Sequence, residues 1–212
     1  MGRGRLVLLN LIGILVIFAL IAVGGYYYYQ NTNYVQTDDA RVAGDMTAIV
    51  APAAGRLSGW NVSEGDVVKN DANLGKISGA DGTGTIKATS DGTIVREQVN
   101  NNQMVQAGQV LAQTIDMKNL YITANIEEGE IQDIEEGDSV DITVEGDPDT
   151  TYEGTLEKIG YATNSMFSLM PQQNASGNYT EVTQTVPVRI SIKAPSDKVL
   201  PGMNADVRIS VK

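Results

Sequence analysis

The chain has 212 residues, 15 basic and 26 acidic side chains for a net charge of -11, and neither His nor Cys. That length holds one membrane anchor and one or two small domains; the missing residue types exclude disulfides, thiolate or imidazole metal ligands and nucleophile–histidine dyads, and the acidic balance speaks against DNA or RNA binding. Twenty-two Gly and only 19% charged residues suit a turn-rich β protein, not a long coiled coil.

Leu6 to Val23 is an 18-residue apolar run interrupted by Asn10 and Gly13. At 1.5 Å per residue a helix of that length reaches about 27 Å, close to the roughly 30 Å hydrocarbon core. Fourteen of the 18 are Leu, Ile, Val or Phe, together about -6 kcal/mol of insertion free energy. Arg3 and Arg5 precede the run, and no further base appears until Arg41. The positive-inside bias therefore predicts residues 1–5 in the cytoplasm, a transmembrane helix with its aromatic interface over 6–29, and everything after it outside the cell or in the periplasm. Tyr26 to Tyr29 fall at the far interface. A cleaved signal peptide is the competing reading, but the run exceeds a usual h-region and no clear A-x-A site follows.

Residues 30–46 are expected to form a lead-in strand that joins a later barrel. An internal repeat then organises residues 47–117. Residues 51–74 superpose on 88–111 at an offset of 37, with Ala51 on Ala88, Gly55 on Gly92, Val62 on Val99, Val68 on Val105 and Leu74 on Leu111. Leu57 against Ile94 keeps the apolar character. Glu64-Gly65-Asp66 lies opposite Asn101-Asn102-Gln103, where a tight turn often needs the positive φ that Gly meets freely and Asn tolerates; Asn70-Asp71 faces Ala107-Gly108 in the second turn, again residues that turns accept. Two halves (47–77 and 85–117), each with one apolar face, are expected to close on each other as a β-sandwich with pseudo-two-fold symmetry. The Gly-rich stretch 78–84 between them reads as a surface loop and lacks the Lys-Ser/Thr of a phosphate-binding loop.

From 118 to 212, short strands alternate apolar and polar residues. Leu120–Ile126, Ser139–Glu145, Tyr152–Tyr161, Thr185–Lys193 and Met203–Val211 are the predicted strands, the last entered by a Pro201-Gly202 turn. Their spacing predicts a small β-barrel. The fold class is thus mainly β: an N-terminal transmembrane helix, a sandwich and a barrel.

The two half-motifs resemble a lipoyl/biotinyl-type domain (a barrel-sandwich hybrid). Carrier versions hold a modified Lys at the hairpin between the halves, and 78–84 has none. The pair is shared with HlyD-type membrane fusion proteins, the adaptors of export pumps. Val35 to Ala40, then Phe167 to Pro171, Gln173 to Tyr179 and Val186 to Ile190, resemble the EmrA-like subfamily over roughly residues 34–212. Longer relatives insert an α-helical hairpin between the lipoyl halves; seven residues stand there here, which implies a short form that works close to one membrane. Thr180 to Thr185 lacks the basic residues often found in relatives.

The resemblance implies a noncovalent adaptor of a multidrug or fatty-acid pump, with no catalytic residue, cofactor or metal. Its partner would be an integral-membrane transporter, a major facilitator ahead of an ABC exporter, and homo-oligomers and a hydrophobic small-molecule substrate are expected. An ABC peptide-exporter accessory and an envelope binding module without a pump are the alternatives. Phe167, Leu169, Met170, Asn174 and Tyr179 are the candidate partner or substrate contacts; the three apolar ones either plug the barrel's end or form a contact patch. Eight acids between Glu127 and Asp141 match no calcium-loop pattern and read as a solvated face. Asp38 and Asp39, adjacent on a strand, should point to opposite faces. Trp60 is expected to pack in or beside the sandwich.

Overall fold

In a computed structural model, residues 3–79, 82–167 and 183–211 are described, with side chains for all of these except 3–10, 26–32 and 167. Helix α1 (Arg3–Asn33) runs for 31 residues. It contains no Pro, and Leu and Ala favour the conformation. Side chains 11–25 are exposed all round. Among the described residues no helix is long and apolar enough to cross a membrane. The Val211 amide donates to the Asn33 carbonyl at 2.8 Å, so the helix ends against a barrel rim.

That barrel is closed and antiparallel. Its strand β1 (Tyr34–Ala43) follows α1 directly. The chain then leaves to build a sandwich from β2 (Met46–Val50), β3 (Gly55–Ser58), β4 (Val67–Val68), β5 (Asn73–Gly79), β6 (Gly82–Lys87), β7 (Gly92–Glu97), β8 (Met104–Val105) and β9 (Val110–Ile115). It returns for β10 (Tyr121–Glu127), β11 (Ser139–Val144), β12 (Asp147–Ile159), β13 (Thr185–Ile192) and β14 (Asn204–Ser210). Around the barrel the order is β1-β10-β13-β12-β11-β14, closing back on β1. Closure leaves the barrel no free edge. Alternate residues of β10 and β13 point inward, and Ile122, Ile126, Ile142, Leu156, Ile190 and Ile209 fill the interior.

β1 departs from strict alternation. Its register shifts between Thr37 and Ala40, a β-bulge, so Asp38 and Asp39 are both exposed instead of on opposite faces. The acid-rich segment after β10 forms a short 3-10 helix, Glu128–Asp133.

The sandwich has two four-stranded sheets, β2-β9-β7-β4 and β6-β5-β3-β8. At the offset of 37, β2 becomes β6, β3 becomes β7, β4 becomes β8 and β5 becomes β9. One sheet order therefore maps onto the other. The halves do not simply close face to face: each sheet takes two strands from each half. This interleaving is fixed by backbone bonds that occur in matched pairs. The Asp71 amide donates to Ala88 O at 2.9 Å, and its equivalent Gly108 amide to Ala51 O at 2.8 Å. The Gly65 amide donates to Ile94 O at 2.8 Å, and the Asn102 amide to Leu57 O at 2.9 Å.

All four turn residues have positive φ: Gly65 94°, Asn102 68°, Asp71 63° and Gly108 80°. Ala51, Leu57, Val68, Leu74 and their equivalents Ala88, Ile94, Val105 and Leu111 are all in one buried core. The expected loop 78–84 is mostly ladder: Ser78 pairs with Thr83 and Gly79 with Gly82, leaving only 80 and 81 outside the described residues. Gly pairs with Gly there, so the hairpin can tighten without side chains in the way.

Candidate functional site

Among the described residues, three polar regions are positioned by the barrel. The first is the rim from which α1 leaves. Thr37 Oγ1 donates to Asn125 O at 3.1 Å, Asn125 Nδ2 donates to Asp39 Oδ2 at 2.9 Å, and Asn164 Nδ2 donates to Asn125 Oδ1 at 2.8 Å and Thr185 Oγ1 at 3.0 Å. This belt ties β1, β10 and β13 to a 3-10 turn, Asn164–Phe167. Beside it an acidic cleft of about 450 Å³ is lined by Gln36, Thr37, Asp38, Glu127 and Glu130. Burial, then the charges of Glu127 and Asp133, push the Glu130 carboxyl above its ordinary value. Five of the eight acids expected to form a solvated face are exposed: Glu127, Glu128, Asp133, Glu135 and Glu136; Asp138 is buried.

Of the expected contact residues, Leu169, Met170, Asn174 and Tyr179 lie outside the described residues, and Phe167 is described only as the last residue of the 3-10 turn. The belt above fixes where that segment leaves the barrel.

The second region is the joint between barrel and sandwich, crossed twice, at 44–45 and 116–120. Ile115 and Leu120 belong to the barrel's core cluster, and Val95 and Met117 pack against it. A Cβ on Gly44 would stand 2.6 Å from Ile115 Cγ2, so only Gly fits that close approach. On one side of the joint Arg189 stacks on the Tyr121 ring, 3.6 Å from its centroid, and reaches Glu157 at 3.1 Å and Asp45 at 3.7 Å. Tyr121 donates its hydroxyl to Asp45 Oδ1 at 3.2 Å. Burial and then the Asp45 charge raise the phenol above its ordinary value, so it stays protonated and remains a donor.

The third region is Asp147, at the start of β12. Its side chain is 6% exposed. It receives Lys198 Nζ at 2.8 Å, Tyr152 OH at 2.8 Å and Ser196 Oγ at 3.2 Å. Lys198 and then Tyr152 hold the carboxyl down at about 2, and Asp147 in turn raises the Lys198 ammonium. This network pins the β13–β14 connection to the barrel.

Within the sandwich, Trp60 lies just past β3 and not on it, and is 5% exposed. Its Nε1 donates to Glu97 Oε1 at 2.7 Å. Glu97 is the residue equivalent to Trp60 at the offset of 37, so the bond joins the halves. Trp60 N donates to Asn101 Oδ1 at 2.9 Å; the equivalent bond runs from Glu97 N to Glu64 Oε1 at 3.1 Å. Among the described residues no group of His, Cys, Asp or Glu converges to hold a metal ion. The polar regions clamp, cap and tie.

Residues 45–116 match the family described as "YhbJ, barrel-sandwich hybrid domain", and residues 119–212 the one described as "CusB-like, beta-barrel domain". The "Putative efflux system component YhbJ" of Bacillus subtilis is 63% identical over 210 residues, 99% of this chain and 95% of its own length. The chain belongs to the EmrA-like family of efflux adaptors. The colistin resistance protein EmrA of Acinetobacter baumannii is 28% identical over 149 residues, 69% of this chain but 42% of its own length. The chain thus spans less than half of that relative. The solved periplasmic adaptor EmrA shares the fold, with a TM-score of 0.59 at 11% identity over 85% of this chain and 99% of that one. Family members are non-enzymatic membrane fusion subunits of efflux pumps, and this adaptor is a short form, with a two-strand hairpin between its lipoyl-like halves.

Proposed function

We propose that this adaptor is anchored by α1 across a single membrane, amino terminus inside, and serves a major-facilitator pump that exports drugs or fatty acids. The carrying observation is the geometry of α1: a continuous 31-residue helix, hydrophobic on every side over 11–25, joined without a linker to the barrel rim. A helix that is apolar all round has no aqueous face to present and finds its solvent in lipid. The barrel then stands at the outer surface, its acidic cleft and 3-10 turn facing the transporter's mouth, and the sandwich projects beyond. Exposed Phe18, Leu20 and Ile21 would lie against lipid or transporter helices. The energy is the transporter's; the adaptor supplies a collar, assembled as a homo-oligomer.

The absence of Cys makes the test direct. Single cysteines placed at Gly2 and at exposed Asn61 are labelled in whole cells with a membrane-impermeant maleimide. Labelling at 61 and none at 2 is expected; equal labelling of both, or a secreted chain lacking α1, ends the anchor reading. Affinity purification from detergent should bring down a permease of twelve to fourteen helices. An ATPase in its place moves the adaptor to an ABC exporter.

A further inference from the structure

The joint also carries a cleft of about 550 Å³, which lies between β4, the turn before β7, the second crossing at 116–118 and the β13–β14 connection at 194–197. Its volume falls in the range of small-molecule sites, and domain junctions are where such sites concentrate. Its apolar lining is Val67, Val68, Met117, Ala194 and Pro195, of which Met117 is half-buried and Val67 is 79% exposed. An aliphatic side chain that exposed, set in the wall of a cleft, offers surface for a ligand to cover.

The polar lining divides by mobility. Asp91 Oδ1 accepts from the Asn70 amide at 2.7 Å. Asp116 accepts from the Lys118 amide at 3.0 Å and from Asn119 Nδ2 at 2.6 Å. Those short carboxylates are held in place by their own loops. Asp197, also in the lining, stands on the exposed turn beside Lys198, whose ammonium is taken by Asp147. The two ammonium groups of the lining belong to Lys69 and Lys118, both exposed, and long stems of this kind can turn their charge out to water at little cost. Three short carboxylates therefore set the field of the cleft, and a chain of net charge -11 concentrates cations around itself.

We infer that this cleft binds an amphipathic monocation, its apolar body against Val67 and Met117 and its charge near Asp91 and Asp197. The binding needs no transporter. Combined with the efflux reading, it makes the adaptor a subunit that handles cargo at the joint between its domains.

The test uses the full chain in detergent, with tetraphenylphosphonium as probe and tetraphenylborate as its isosteric anion. Methionine oxidation footprinting reads the site by residue: Met117 in the cleft, against Met46 and Met104, exposed elsewhere. Saturable protection of Met117 by the phosphonium is expected, with Met46 and Met104 unchanged. Asp197→Asn should raise the half-saturating concentration about fivefold, the scale of one unit charge a few ångströms away in water. Val67→Ser should do so to a similar degree. Both positions are exposed, so neither variant is expected to unfold the chain, and thermal melts check this. Equal protection by the borate, protection spread over all three methionines, or protection indifferent to both variants overturns the inference. A pump that still needs the adaptor would survive that failure, since a collar can act without touching cargo.

Discussion

The two halves of the sandwich hold the same backbone with different side chains, and where they differ is informative. Core positions keep volume: Leu57 answers Ile94, and Leu74 answers Leu111. Turn positions keep conformation and exchange residue type, Gly65 for Asn102 and Asp71 for Gly108. Outward positions keep neither. The edge strand β2 presents Met46, Ala48 and Val50, while its equivalent β6 presents Thr83, Thr85 and Lys87. At the pseudo-axis Trp60 faces Glu97, an asymmetric pair at equivalent places. Core and turn are bound by the fold; the outer surface is free to specialise, and only one half's end packs on the barrel.

If the halves share one interleaved core, damage in either must be felt equally. Leu74→Ala and Leu111→Ala remove equivalent, fully buried side chains. Each is expected to cost about 2–5 kcal/mol in urea unfolding, and the two costs should agree within about 1 kcal/mol. A variant that loses one half while the other stays folded would show two independent units.

A glycine pair sharpens the comparison, because equivalence of sequence is not equivalence of space. A Cβ on Gly55 would meet Ser78 O at 2.5 Å and Ile77 Cγ2 at 2.7 Å; on Gly92 its nearest contact is Ile115 O at 3.0 Å. Gly55→Ala must displace backbone and is expected to cost about 1–3 kcal/mol. Gly92→Ala asks a smaller shift and should cost less than half as much. Thermal melts of the two variants rank them; a reversed order would mean that the halves relax differently from their static geometry.

Ion pairs separate barrel from sandwich in the same way. In the sandwich, Lys87 and Asp71 stand 3.6 Å apart with side chains 56% and 77% exposed, so Lys87→Ala should change stability by less than about 0.5 kcal/mol. In the barrel, Asp147 is buried and accepts from Tyr152, Ser196 and the largely exposed Lys198. Its folded pKa, about 2, lies below the ordinary 3.8. The contribution is therefore complete above about pH 5 and is lost as the pH falls toward 2. Asp147→Asn should flatten that part of the stability curve, and Lys198→Ala should lower the urea midpoint at pH 7 more than Lys87→Ala does.

Much of this was legible in one sequence because its signals are local. Alternation marked the barrel strands, and the offset of 37 marked the repeat, since turns and cores obey residue-level rules. What was hidden depends on contacts distant in the chain. The bulge at Asp38 and Asp39 arises from pairing with β14. The strand exchange between halves follows from bonds such as Asp71 to Ala88. Asp147 reads as one acid among many until the fold brings Ser196 and Lys198 to it. The joint's cleft gathers side chains from four separate segments, and no spacing rule connects positions 67 and 197.

An exchange of turn residues tests the repeat most sharply. Gly65 and Asn102 have φ of 94° and 68° with equivalent backbone bonds, so each turn has already been solved twice. Asn tolerates the left-handed region better than other residues with a side chain, and Gly adopts it freely but loses more entropy on folding. Exchanging the two, as Gly65→Asn with Asn102→Gly, should therefore leave stability within about 1 kcal/mol of the parent. Gly65→Val, with a β-branched side chain at the same φ, should cost at least twice what Gly65→Asn costs. Nothing lies within 4 Å of a Cβ built on Gly65, so the difference reports backbone conformation alone. If Asn and Val cost the same there, the match between the turns is a coincidence of composition, and the duplicated ancestry of the halves loses its most local support.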